Sequence, residues 1–358
     1  MGQIGGCHPR IYSSLNVASP HGAGRLATDA YNRRSRLPPP LLPLPLKAFY
    51  SDRFVLPLPE HHRFPMQKYA RLRHRVEREL PEVVLAEPIA ATDGQLALAH
   101  DAHYIERVAT GRLDPMEIRA IGFPWSEAMV ERSRRATGAT ISAARVALGE
   151  GVAANLAGGT HHAARARGAG YCVFNDAAVA ARVIQADAAS TRTRVRVAVI
   201  DLDVHQGDGT AQILGGDDSV FTLSMHGEKN FPFRKQAGHL DIGLPDGTGD
   251  DAYLAHLDRA LAELESRFAP QLIIFLAGAD AHENDRLGKL ALTVDGMRAR
   301  DEKVFDFAER LGVPIVVTMA GGYGRDIDLT VALHFQTIRL ACRAWRRRAQ
   351  LKQAGVGA

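Results

Sequence analysis

The chain has 358 residues, 46% of them hydrophobic, and a formal net charge of +4, which supports a sizeable core in one large or two medium domains. The charge gathers at the ends: residues 1–47 hold six Lys/Arg against Asp29 alone, and residues 339–358 hold six with no acid. The body between is net acidic, so a nucleic-acid-binding body is not indicated. Cys7, Cys172 and Cys342 stand at unrelated spacings, which excludes a disulfide framework and fits a reducing compartment. No run approaches the roughly 18 apolar residues of a membrane helix. The N-terminal region also lacks the apolar core of a signal peptide, so a cytoplasmic location is expected.

Residues 1–47, rich in Gly, Ser, Arg and Pro, read as a disordered extension that ends in the Pro-rich run Leu37–Leu46. The folded chain is expected from Ala48. Pro65 opens a helix to about Glu79, Val83–Ala86 reads as a strand, and Ala99–Thr110 reads as a helix stopped by Gly111. An Ala-rich helix is predicted over Glu127–Gly149 and a short apolar strand over Asn155–Ala157. Asn175 or Asp176 caps a helix to Ala189. Val195–Ile200, broken only by Arg196, and Val220–Leu223 read as strands, followed by a long loop over Ser224–Asp250. Helix Ala252–Phe268, strand Leu272–Leu276, helix Val294–Leu311, strand Ile315–Met319 and helix Ile327–Lys352 complete the chain. Strands alternating with helices through short Gly/Pro turns specify one α/β domain on a parallel sheet.

Ligands of open parallel sheets bind beyond the carboxyl ends of strands. Four segments put polar residues there: Gly158–His162, Asp201–Asp208, Asp280 and Tyr323. Taken singly, a turn carboxylate is most often a helix cap, and a Tyr between glycines a turn aromatic. On one rim, Asp203, His205 and Asp280 form a three-ligand set with open positions, the catalytic arrangement of zinc. Iron(II) or cobalt(II) suits the same donors. His161 and His162 beside a metal can take a proton from water and hand it to a leaving amine. Asp201 and Asp208 are spare carboxylates suited to fixing their tautomers. Opposite the metal, the Tyr323 phenol is a donor for a developing oxyanion. His61–His62, by contrast, reads as two surface histidines, and Cys172 lacks the adjacent base of a nucleophile. The basic end Ala344–Lys352 reads as a solvated helix face rather than a contact for an acidic partner.

GGTHHA (Gly158–Ala163), GYCVFNDAA (Gly170–Ala178), DLDVHQGDGT (Asp201–Thr210), GADAHENDRLG (Gly278–Gly288) and AGGYG (Ala320–Gly324) resemble, in order, the successive signatures of the zinc-dependent histone deacetylase family. The likeness runs over about Ala48–Ala344, and LPLPEHHRFPMQKYARLR with HGEKNFPFRK is most similar to bacterial class IV-type members. The resemblance implies the arginase/deacetylase-like fold, a parallel sheet of about eight strands flanked by helices. It implies a catalytic domain over residues 48–358 that hydrolyses acyl-lysine-type amides with a metal-activated water. By motif, Asp203, His205 and Asp280 resemble the zinc ligands, and His161 and His162 the tandem catalytic histidines, His162 being the proton shuttle. Tyr323 resembles the oxyanion-stabilising tyrosine. Gly170 and Tyr171 resemble the wall of the substrate channel, with Phe231 opposite. Leu287 stands where polyamine-selective relatives carry an acid, which weakens an acetyl-polyamine reading. Asp201, Asp203, His205, Ser224 and Met225 resemble a site for K+ or Na+. The implied partner is acylated lysine in a protein or peptide, or a small acyl-amine, with no nucleic acid or membrane. An arginase-like ureohydrolase wants further carboxylates beside His205, where Gln206 and Gly207 stand. A catalytically silent acyl-lysine reader would have lost one of these residues.

Overall fold

A computed structural model describes residues 45–189 and 195–353. Its first half runs β1 (Leu46–Phe49), α1 (Gln67–Glu79), β2 (Val83–Ala86), α2 (Asp93–Leu96), α3 (Ala102–Thr110), α4 (Pro115–Ile121), α5 (Glu127–Glu150), β3 (Val152–Asn155) and α6 (Asp176–Ala189). The second half runs β4 (Val197–Asp201), α7 (Asp208–Leu214), β5 (Val220–Gly227), β6 (Leu240–Leu244), α8 (Asp250–Arg267), β7 (Leu272–Leu276), α9 (Val294–Arg310), β8 (Ile315–Thr318) and α10 (Ile327–Gln353). Local chemistry sets several of these limits. Asp101 accepts the His103 and Tyr104 N–H groups at the start of α3, and left-handed Gly111 ends it. Asp114 and Glu117 form a capping box around Pro115.

The eight strands form one sheet in the order β2-β1-β3-β8-β7-β4-β5-β6, with every pairing parallel. Alternate residues enter the two apolar layers on either side: Ala198, Ile200, Ile273 and Phe275 pack in one, and Val197, Val199, Ile274 and Leu276 in the other. A fully buried Val, Leu or Ile side chain contributes roughly 1.5–3 kcal/mol, so this two-sided burial makes the central strands a rigid frame. Asn155, Thr318, Leu276 and Asp201 pair in sequence across β3, β8, β7 and β4. The four polar segments therefore leave the sheet at one level.

Several expectations are corrected. The expected extension lies outside the described residues up to residue 44, but its last two residues, Leu46 and Lys47, belong to β1, paired with Val83 and Val84. The strand expected over Asn155–Ala157 is β3, which starts earlier because α5 stops at Gly151 and the chain turns straight into Val152. The stretch expected as a loop over Ser224–Asp250 begins inside β5 and contains β6, an edge strand in which Asp241 and Gly243 are exposed and Leu240 and Ile242 only half-buried, which mutes its apolar signal. The helices α2, α4 and α7, each of seven residues or fewer, lie where loop or motif was read. Along the basic end of α10, exposed Arg346 pairs with Glu82 and half-buried Arg347 with Asp306, contacts made at the surface of the helix. No helix among the described residues is long and apolar enough to cross a membrane.

Candidate metal centre

Beyond β4 the backbone turns so that Asp201 Oδ1 accepts the Asp203 N–H at 3.1 Å and Asp203 Oδ1 accepts the His205 N–H at 2.9 Å. These turns aim Asp203 and His205 toward the end of β7, where Asp280 Oδ1 accepts the Val204 N–H at 2.9 Å. Asp203, His205 and Asp280 are buried, and one donor atom of each lies within 4.8 Å of the others. His205 Nδ1 is 3.0 Å from Asp203 Oδ1 and 3.3 Å from Asp280 Oδ2.

The three groups shift one another strongly. Burial and then repulsion from Asp203 push the Asp280 carboxyl up to about 7. Asp203, despite its burial, is held well below the carboxylate range by His161 and His205. Burial lowers His205, yet Asp203 and Asp280 outweigh it and hold the imidazole up at about 10. Asp280 Oδ2 is buried and receives no hydrogen bond. Two buried carboxylates beside an imidazole, with one oxygen left bare, fit a divalent ion. The backbone around them is stripped to make room: a Cβ at Gly321 would lie 1.9 Å from Asp280 Oδ2 and 2.6 Å from Asp203 Oδ2.

His161 and His162 arrive from β3, and each leans on its own carboxylate. His161 Nδ1 lies 2.6 Å from Asp201 Oδ2, and His162 Nδ1 lies 2.7 Å from Asp208 Oδ1 at the start of α7. Both Nε2 atoms are thereby left for other partners. The two imidazoles titrate apart. Burial lowers His161, but Asp201 and Asp203 outweigh it and hold the ring up at about 9. Burial, then the neighbouring His161 charge, pushes His162 down to about 4.

Tyr323 stands across from these histidines, its ring centroid 6.4 Å from that of His205. Burial and then Asp203 push its phenol well above the ordinary value, so it remains a donor. Its backbone is fixed by a 2.6 Å bond from its N–H to Asp285 Oδ2. A cavity of about 470 Å³ joins His161, His162, Asp203, His205 and Tyr323 to solvent. Gly170, Tyr171, Phe231 and Leu287 line it, with Phe231 edge-on to His162 at 4.8 Å between ring centres. Asp201 and Ser224 are register partners on β4 and β5, and Met225 follows.

Other residues escaped the sequence reading. His62 is not a free surface histidine: its Nδ1 accepts the Phe64 N–H at 3.1 Å, so its Nε2 donates to the Gly122 carbonyl at 2.9 Å. It thereby backs the channel wall at Tyr171, 5.8 Å between ring centres. The Lys68 ammonium, buried on α1, donates to the carbonyls of Ala320 and Gly322 at 3.2 and 3.3 Å. Arg300, buried on α9, donates to Leu202 and Gly278 carbonyls, and so ties together the turns that present Asp203 and Asp280. A basic residue on a helix with an otherwise charged face carries no sequence mark of such burial. Cys172 is a buried free thiol whose pKa burial raises well above normal, which agrees with its reading as no nucleophile.

Residues 62–338 match the sequence model of the histone deacetylase domain. An uncharacterized protein of Picosynechococcus sp. is 44% identical over 289 residues, covering 80% of this chain and 94% of that protein. Histone deacetylase 2 of Arabidopsis thaliana is 34% identical over 284 residues, covering 76% of this chain and 72% of that protein. A crystal structure of an HDAC homolog complexed with SAHA superposes with a TM-score of 0.72 at 26% identity, covering 84% of each chain.

Proposed function

The chain belongs to the histone deacetylase family, whose members hydrolyse amides, and from that premise we propose that it is a zinc-dependent deacylase acting on acyl-lysine. One observation carries the reading: two separately supported imidazoles and a phenol face a buried three-donor cluster inside a single cavity. Asp203, His205 and Asp280 would hold the ion. Zinc suits such mixed oxygen and nitrogen donors, and iron(II) is the competing occupant. A divalent ion there supplies Lewis acidity that polarises the amide carbonyl and acidifies water.

The chain's own groups do the rest. His162, kept neutral by burial and by the His161 charge, accepts the proton of the attacking water through Nε2, and Asp208 fixes its tautomer. His161, which Asp201 and Asp203 keep protonated, stabilises negative charge beside it. His162 then returns its proton to the leaving amine. The Tyr323 phenol donates to the carbonyl oxygen as charge develops on it. Gly170, Tyr171, Phe231 and Leu287 form the walls along which the lysine methylenes lie. A K+ or Na+ site over Asp201, Asp203, His205, Ser224 and Met225 is supported by the Asp201–Ser224 register pair. Two buried free cysteines support a reducing, cytoplasmic setting.

The test is a metal analysis of the purified protein, with assays on acetyl-lysine peptides, longer acyl-lysine peptides and acetyl-polyamines. Tyr323→Phe is expected to keep the metal and lose about 10²–10³ in kcat. Absence of turnover on every substrate by the metal-loaded protein overturns the reading.

A further inference from the structure

We propose that the mouth of this pocket selects acyl-lysine flanked by acidic residues, an inference that rests on the deacylase reading above. Arg119, Lys229 and Lys289 line the cavity, and Arg63 and Arg286 line a second recess that shares Leu287 and Tyr323 with it. All five are exposed. Among the described residues, the only carboxylate lining either hollow is Asp203, 1% exposed at the base.

These charges are little compensated on a body whose net charge is negative. Among the described residues, the side chains of Arg63, Arg119 and Lys229 meet no carboxylate within ion-pair distance. Arg286 donates only to the carbonyls of Tyr323 and Arg63, at 2.8 and 3.3 Å. Lys289 has Asp246 at 3.9 Å, a loose exposed contact. Several other surface cations are paired closely, Arg145 with Asp187 at 2.8 Å, Lys303 with Asp258 at 2.7 Å and Arg310 with Glu265 at 2.7 Å; what sets the five apart is that they gather around one opening. A ring of weakly compensated cations around one opening repels a cationic ligand and steers an anionic one.

The position of the ring says which part of the substrate is anionic. At the base of the cavity the His161 imidazolium is already paired with Asp201, and behind it the Lys68 ammonium is spent on the Ala320 and Gly322 carbonyls, so neither is left to pair with a charged acyl group. The walls between base and mouth are Tyr171, Phe231 and Leu287, which suit uncharged methylenes. The negative charge therefore sits outside, on the amine-bearing side of the scissile bond, where the residues next to an acyl-lysine in a peptide lie. A polyamine presents ammonium groups at that same place and meets like charge.

The experiment uses three matched acetyl-lysine peptides, flanked by Glu, Gln or Lys, and acetylspermidine. kcat/KM is measured at about 50 mM and about 500 mM salt, and direct binding of fluorescent versions is followed by anisotropy. The Glu-flanked peptide is expected to exceed the Lys-flanked one by about tenfold in both readouts at low salt, with the Gln peptide between. The gap is expected to shrink at high salt as screening shortens. In the double variant Arg119→Glu/Lys229→Glu, whose thermal melt checks folding, the gap is expected to close or reverse. Turnover of the Gln peptide with no preference among the three overturns the proposal and leaves the deacylase reading standing. Preferential binding of the Glu peptide without turnover of any substrate supports the rim and overturns the deacylase reading instead. Acetylspermidine hydrolysed faster than every peptide overturns the proposal.

Discussion

His162 and Asp208 meet at 2.7 Å across 46 residues of chain, both buried. The contact fixes the proton on Nδ1 and leaves Nε2 facing the cavity as acceptor. Asp208 also opens α7, where a carboxylate suits the helix N-terminus. Asp208→Asn preserves the shape but makes the amide an uncertain guide for the tautomer. The expected outcome is a fall of about 10²–10⁴ in kcat, with KM and bound metal near wild type. Steady-state kinetics with metal analysis check it, and unchanged kcat removes Asp208 from the relay.

Lys68 reaches the same loop from behind. Its bonds to the Ala320 and Gly322 carbonyls flank the turn before Tyr323, and Ala320 itself holds φ at 50°, a left-handed value that a residue with a Cβ seldom adopts. The ammonium holds that turn in place, so its loss shifts the phenol. Lys68→Met, similar in length and uncharged, is expected to lower kcat by about 10²-fold, since displacement on the order of 1 Å has that effect. Metal content should be retained because no donor of the triad is touched. A Lys68→Met enzyme with full kcat excludes this positioning role.

Gly321 links the loop to the proposed metal ligands. Its N–H donates to Asp203 Oδ2 at 2.7 Å, an approach that a side chain would block, since a Cβ there would stand 1.9 Å from Asp280 Oδ2. Gly321→Ala is therefore expected to weaken zinc binding by about 10–100-fold. A competition titration against a chelating dye measures this directly, without recourse to turnover. Wild-type affinity in the variant would show that Asp280 does not hold the metal in this orientation.

The four-segment rim was legible because a parallel sheet fixes direction: once Val195–Ile200, Leu272–Leu276 and Ile315–Met319 read as strands, their polar ends had to share a side. Burial on both faces gives those strands continuous apolar runs. Less of the frame around them was visible. In β3 the residues are VAAN, an alanine-rich run that continues the pattern of α5. In β6 Asp241 and Gly243 point outward on a sheet edge. Lys68 and Arg300 bond to carbonyls distant in sequence, and a carbonyl acceptor leaves no residue signature. His62 was misjudged for the same reason, its partner being the Gly122 carbonyl. Histidines that lean on carboxylates of the motifs carry a residue signature, and side chains that hold backbone carry none.

His100 shows how such a backbone contact affects stability. Its Nε2 accepts the Asn175 N–H at 2.9 Å, so its Nδ1 donates to the Ala164 carbonyl, also at 2.9 Å. Both segments lead into the site, the first through His161–Ala164 and the second at the start of α6. Burial pushes this imidazole down to about 4 from an ordinary 6.5, and protonating Nε2 would abolish its acceptor. Between those two values the unfolded chain binds a proton that the folded chain refuses. The stability from this group is thus complete above pH 6.5 and declines as pH falls toward 4. At pH 5 the loss is on the order of 2 kcal/mol. His100→Gln keeps a donor and an acceptor but cannot titrate in this range. Urea denaturation at pH 7.5 and pH 5 should show wild type losing about 2 kcal/mol more than the variant. Other ionisable groups cancel in that difference, so equal losses in the two proteins would exclude His100 as the group concerned.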